Sequence, residues 1–218
     1  MKGVIFDMDG LLIDSEPMWQ AAEKQVFSEL GVDVNDELSA LTAAMTTREV
    51  TEFWFKQSPW EGQDPLQAEN AVIDTVAKII QAQGQPMPGV RQVLELFRRQ
   101  DCRIGLATNS PYRLIPVVLK QLDIESYFDL LVSADQVDHG KPSPDIYLHS
   151  LAQLEITATE AIVFEDSMTG VTAAHQAGIK TVAVPSALKL SDPCQQASLC
   201  LDSLTEFTES HFYSLCSA

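Results

Sequence analysis

The sequence predicts an α/β fold, a parallel-sheet core covered by helices with an inserted α-helical cap, on three observations. Short apolar runs rich in β-branched residues recur along the chain, helix-patterned stretches separate most of them, and one long stretch, residues 16–85, reads as helical throughout. Nearly continuous apolar runs suit strands buried on both faces, and strand–helix alternation is the pattern of a parallel sheet. Ligands of such sheets bind at the carboxyl ends of the strands.

The elements follow in order. "KGVIFDM" (residues 2–8) is a strand by its unbroken Val4-Ile5-Phe6 run. The helical region then supplies "SEPMWQAAEKQVFSELG", "TTREVTEFWFKQ" and "PLQAENAVIDTVAKIIQAQG" as candidate helices. It holds all three tryptophans, Trp19, Trp54 and Trp60. "GQPMPGV" marks the return to the core. Thereafter "PGVRQVLELFRRQ", "PYRLIPVVLKQL", "SPDIYLHSLAQL" and "SMTGVTAAHQAG" are helices, alternating with the strands "RIGLATN" (103–109), "LLVSA" (130–134), "AIVFED" (161–166) and "TVAVP" (181–185). The expected organisation is a core of residues 1–15 and 86–218 around a helical cap of residues 16–85.

With 218 residues and 45% apolar content the chain can bury a substantial core. Its 31 Asp and Glu against 14 Lys and Arg leave a formal net charge of -17, which repels nucleic-acid backbones and anionic lipid surfaces. Neither nucleic acid nor a membrane is an expected partner. No apolar run reaches the ~18 residues of a membrane span, and Met1-Lys2-Gly3 leads straight into a strand, so a cytoplasmic protein is expected. The cysteines Cys102, Cys194, Cys200 and Cys216 form no CxxC pair and read as ordinary structural thiols, and no HExxH occurs.

Chemistry concentrates at predicted strand ends. Asp7 and Asp9 stand two apart after the first strand, where alternation turns both carboxylates the same way and like charges repel. Glu165 and Asp166 close a second strand, "TNS" (108–110) a third, and "GKPSPD" (140–145) opens a helix. A hard cation resolves the repulsion, since Mg²⁺ takes oxygen ligands and is usually held by one or two carboxylates plus substrate phosphate. Phosphoryl transfer suits the same set: one carboxylate attacks phosphorus, a second serves as acid and then base, and Thr108, Asn109 and Lys141 hold the phosphoryl oxygens, with backbone donors from the helix start after Ser110. Singly, each feature has a plainer reading. Asn109, Ser110 and Ser167 suit helix caps, and Lys141 suits a solvated loop. Their order at successive strand ends is what argues against coincidence.

"DMDGLLIDS", "TNS", Lys141 in "GKPSPDIY" and "FEDSMTG" resemble the four motifs of the haloacid-dehalogenase-like superfamily, over the full chain. The resemblance implies a Rossmann-like core with a helical cap over residues 16–85 that closes to exclude bulk water. It implies Asp7 as nucleophile, Asp9 as general acid/base with its carbonyl on Mg²⁺, Asp166 as metal ligand, Glu165 acting on the metal directly or through water, Thr108, Asn109 and Ser110 around the phosphoryl group, and Lys141 stabilising it. Asp9 argues against dehalogenation, because the dehalogenases lack an acid/base there. Trp19 stands where the β-phosphoglucomutases place a histidine, and "DSEPMW" looks like the hexitol- and hexose-phosphate phosphatases. A Mg²⁺-dependent phosphatase of small sugar or hexitol phosphates is therefore expected, acting as a monomer on a small phosphomonoester; a phosphomutase or a non-catalytic relative is the alternative. Arg48 in "TTREV" matches a cap arginine that meets substrate, although Thr46 and Thr47 replace a frequent glycine. Trp19 and Glu16 are expected near the sugar, and Trp54 and Trp60 in the cap interior.

Overall fold

The computed structural model describes residues 1–42, 45–185 and 192–217. The chain divides into two compact units, Met1–Asp14 with Gln85–Ala218, and Ser15–Gly84.

The larger unit is built on a six-stranded sheet of β1 (Gly3–Phe6), β2 (Arg103–Thr108), β3 (Leu130–Ser133), β4 (Ala161–Glu165), β5 (Lys180–Ala183) and β6 (Leu199–Cys200), ordered β3-β2-β1-β4-β5-β6. Every pairing is parallel. Chain order reverses at β1, which lies between β2 and β4, and this is the switch point where such sheets open a crevice. Phe6 is in register with both Leu106 and Phe164. The next positions along, Asp7, Ala107 and Glu165, are therefore level at one edge of the sheet.

Both faces of β1 are covered, as its uninterrupted apolar run requires. Phe6 stacks on Phe164 at 4.9 Å between ring centroids, and Phe97 packs edge-on against both. On the opposite face Ile5 and Val163 join a buried cluster with Ile146, Tyr147, Leu151 and Leu154. These residues come from α7 (Asp145–Gln153) and its end, while α5 (Val90–Arg99), α6 (Ile115–Leu122) and α8 (Met168–Gln176) complete the core helices read in the sequence.

The smaller unit comprises α1 (Glu16–Glu29), α2 (Asp36–Thr42), α3 (Thr47–Gln57) and α4 (Pro65–Gln83). Its interior is aromatic: Phe27 lies 6.2 Å from Trp54 and 5.9 Å from Trp60, and both tryptophans are buried. Asp64 and Gln67 close a capping box at the start of α4, ahead of Pro65, as the sequence pattern requires.

Among the described α-helices and strands, α2, β6 and the C-terminal α9 (Glu209–Ser217) go beyond the sequence reading. β6 has only two residues and no pattern to read; it exists because β5 offers it a paired edge. The expectation of ordinary thiols is also corrected, since Cys194 and Cys200 are paired as a disulfide with Cα atoms 5.3 Å apart, while Cys102 and Cys216 are free. Among the described residues no helix is long and apolar enough to cross a membrane.

Candidate active site

The level edge of β2, β1 and β4 is where Lys141 lands. Its Nζ donates to Asp7 Oδ1 at 2.6 Å, to the Ala107 carbonyl at 2.7 Å and to Glu165 Oε1 at 2.6 Å. An ammonium has three protons, and each goes to one of the three in-register positions. All three side chains are buried. The neighbouring carboxylates hold the Lys141 ammonium well above the ordinary lysine range despite the opposing effect of burial.

Charge at this edge is out of balance. Burial first, and then the Glu165 carboxylate, push Asp7 well above the usual carboxylate range; Lys141 opposes them, and Asp166 and Asp9 add to the rise. One buried ammonium does not neutralise this acidic group. Asp7, Glu165 and Asp166 can bring one carboxylate oxygen each within 4.8 Å of one another. An all-oxygen donor set carrying excess negative charge fits a hard divalent cation. Gly10 makes this spacing possible. Its φ of +77° suits glycine, and a Cβ there would stand 2.1 Å from Asp166 Oδ2.

The loop after β2 forms the second wall. Thr108 Oγ1 donates to Asp9 Oδ2 at 3.2 Å and accepts from the Ser110 N–H at 3.0 Å, while Ser110 Oγ donates to the same Asp9 oxygen at 2.7 Å. Ser133, at the end of β3, braces the loop from behind through its hydroxyl to the Ser110 carbonyl, 2.7 Å away. Asn109 spends its amide differently: Oδ1 accepts the Lys141 N–H at 2.8 Å and Nδ2 donates to the Lys141 carbonyl at 3.0 Å. Asp7, Asp9, Thr108, Asn109, Ser110, Lys141, Glu165 and Asp166 thus converge, although more than 150 residues separate the first from the last.

The model of the haloacid dehalogenase-like hydrolases matches residues 4–184. The chain belongs to this family. Hexitol phosphatase B of Escherichia coli (strain K12) is 36% identical to it over 207 residues, covering 94% of this chain and 93% of the relative. The phosphorylated carbohydrates phosphatase of Thermotoga maritima is 36% identical over 183 residues, 84% of each chain. A crystal structure of a HAD hydrolase, family IA, variant 3, from Entamoeba histolytica superposes with a TM-score of 0.88 over the whole of both chains at 21% identity, a likeness of fold.

In this haloacid dehalogenase-like hydrolase the remaining candidates lie in the helical unit. Glu16, Trp19 and Glu23 recur at three- and four-residue spacing and share one face of α1. Trp19 is half-buried, unlike Trp54 and Trp60. Arg48 is exposed in the first turn of α3, its Nε 3.5 Å from Glu69 Oε2. The threonine that replaces the family's frequent glycine has a local job: Thr46 is the N-cap of α3, its hydroxyl accepting from the Glu49 N–H while the Glu49 carboxylate takes the Thr46 N–H.

Two residues were not read from sequence as partners of Glu165. Tyr147, buried in α7, donates its hydroxyl to Glu165 Oε1 at 2.5 Å; the only available signal was its place in "GKPSPDIY". Ser167, foreseen as a helix cap, also serves Glu165: its hydroxyl accepts from the Gly170 N–H and donates to Glu165 Oε2 at 3.0 Å.

Proposed function

We propose that this haloacid dehalogenase-like hydrolase is a Mg²⁺-dependent phosphatase of small sugar or hexitol phosphates that works through an aspartyl-phosphate on Asp7. The observation that carries the reading is Lys141 Nζ held between the carboxylates of Asp7 and Glu165 at the switch point of the sheet, with Asp9 beside them on Thr108 and Ser110.

In this reading an Asp7 carboxylate oxygen attacks phosphorus, and the bond from phosphorus to the sugar oxygen breaks. Asp9 gives the departing alkoxide its proton, then takes a proton from water, whose oxygen attacks phosphorus and releases Asp7. Lys141 and the Thr108–Ser110 loop beside it offset the phosphoryl charge. The Asn109 amide acts from behind by fixing the Lys141 backbone. Mg²⁺, held by Asp7, Asp166 and the Asp9 carbonyl with Glu165 alongside, would neutralise phosphoryl oxygens.

The preference for sugar and hexitol phosphates rests on what the two relatives are named for, and Trp19, Glu16 and Arg48 are the groups proposed to meet the sugar. Phosphate release from sorbitol 6-phosphate, 2-deoxyglucose 6-phosphate, glucose 6-phosphate, phosphoglycolate and a nucleoside monophosphate, with Mg²⁺ and with EDTA, tests the reading. Turnover of at least one hexose or hexitol phosphate above the other two classes, abolished by EDTA, is expected. Turnover that survives EDTA contradicts the metal, and preference for phosphoglycolate or nucleotide contradicts the substrate class.

A further inference from the structure

The Glu165 carboxylate accepts from four donors. Oε1 takes Lys141 Nζ at 2.6 Å and the Tyr147 hydroxyl at 2.5 Å; Oε2 takes the Ser167 hydroxyl at 3.0 Å and the Ser167 N–H at 3.4 Å. A carboxylate offers about four lone-pair positions, so this one is full. Tyr147 meets the same lysine a second time, with its ring centroid 5.3 Å from Lys141 Nζ. Both Tyr147 and Glu165 are wholly buried, out of reach of water that could replace a lost donor.

We infer that Tyr147 is a positioning residue, whose hydroxyl sets how Lys141 is shared between Glu165 and Asp7. Lys141 is the buried cation that both carboxylates compete for, at equal 2.6 Å distances. With the tyrosine hydroxyl filling its second lone pair on Oε1, Glu165 is stabilised without drawing further on the lysine. Remove that hydroxyl and Glu165 is a buried anion short of one donor, whose nearest remedy is the ammonium of Lys141. The lysine then moves toward Glu165 and away from Asp7, where the phosphoryl group arrives. The effect falls on the transition state, because Lys141 acts most strongly as charge builds on the transferring group. A purely structural tyrosine predicts no such selectivity.

This inference rests on the phosphatase reading, and the two fail separately. A wild-type chain that releases phosphate from no monoester retires the reading; an active wild type indifferent to the Tyr147 hydroxyl retires the inference alone. Tyr147→Phe keeps the ring over Lys141 and deletes one oxygen. On the monoester turned over fastest by the wild type, kcat should fall about tenfold with KM within about twofold. In a Glu165→Gln background the same change should cost little more, since Tyr147 acts through that carboxylate. Leu154→Ala, in the same buried cluster, should lower Tm further than Tyr147→Phe while leaving kcat within about twofold. An unchanged kcat in Tyr147→Phe, a rise in KM alone, fully additive losses with Glu165→Gln, or an equal kcat loss in Leu154→Ala overturns the inference.

A second measurement holds if the Phe variant does not fold. Of the four tyrosines, Tyr147 is fully buried while Tyr112 and Tyr213 are exposed. In chain grown on 3-fluorotyrosine, the fluorine signal most protected from a soluble paramagnetic agent should shift in Glu165→Gln. A protected signal that does not move overturns the inference.

Discussion

The side-chain amide of Asn109 closes a two-bond ring on the backbone of Lys141, accepting its N–H at 2.8 Å and donating to its carbonyl at 3.0 Å. Both groups of the amide are used, and neither partner is itself a side chain. The sequence marks Asn109 as a phosphoryl contact; the geometry gives its side chain the task of fixing where Lys141 begins its reach toward Asp7. Asn109→Ala preserves the main-chain N–H and removes both bonds. It should lower kcat by about ten- to a hundredfold, with a smaller change in KM, in steady-state phosphate release. A rise in KM with kcat unchanged would return Asn109 to the role of a simple phosphate contact.

Gly170 sits inside α8, where alanine ordinarily stabilises a helix by about 1 kcal/mol. Here a Cβ would stand 1.9 Å from the Glu165 carboxyl carbon, a group held on all sides. Overpacking against a fixed buried group costs about 1–3 kcal/mol and outweighs the helix gain. Gly170→Ala should therefore lower Tm and impair turnover together, read by thermal melts and phosphate release. A higher Tm with intact activity would mean that Glu165 has room to move.

What the sequence made legible follows from where its signals are local. The Val4-Ile5-Phe6 run and the carboxylates behind it announce a buried strand with chemistry at its end, and Pro65 opens the stretch that becomes α4. The role of Tyr147 toward Glu165 was not legible, because it depends on β4 and α7 meeting in space, a relation no spacing records; Ser167 is only two residues from Glu165, and its cap reading left its second bond unstated. The Cys194–Cys200 pair, six residues apart, has no CxxC spacing to announce it, and β6 is too short to carry a pattern. Thr46 is the converse case: its position seemed a departure from a family habit, and a capping box explains it from four consecutive residues.

Glu23 provides a pH-dependent prediction. Burial, and then repulsion from Glu16, push its carboxyl up to about 7. Between the usual carboxylate range and 7 the unfolded chain has lost this proton while the folded chain keeps it, so stability falls as pH rises through that window. Glu23→Gln removes the cost of the buried charge. It should raise Tm over wild type at pH 8, by a few degrees for a gain of order 1 kcal/mol, and make little difference at pH 4.5. The same increment at both pH values would show that the carboxylate's charge is not the cause.

Arg48 tests the source of substrate preference. Its pairing with Glu69 is exposed on the arginine side and 3.5 Å long, so its loss should cost little stability. Arg48→Ala should cut kcat/KM on a hexitol phosphate by about tenfold or more while leaving an activated aryl phosphate within about threefold, because a good leaving group asks little of remote binding. Equal losses on both substrates would place Arg48 in folding or general chemistry.

The central claim is that Asp7 is the attacking group, and Asp7→Asn tests it most directly. The amide keeps the shape and lightens an overcharged buried cluster, so Tm should not fall. Phosphate release in Mg²⁺ from sorbitol 6-phosphate and 2-deoxyglucose 6-phosphate, measured beside β-glucose 1-phosphate to detect isomerisation, should drop by at least about a thousandfold in the variant. A folded Asp7→Asn chain that releases phosphate at the wild-type rate would contradict the account.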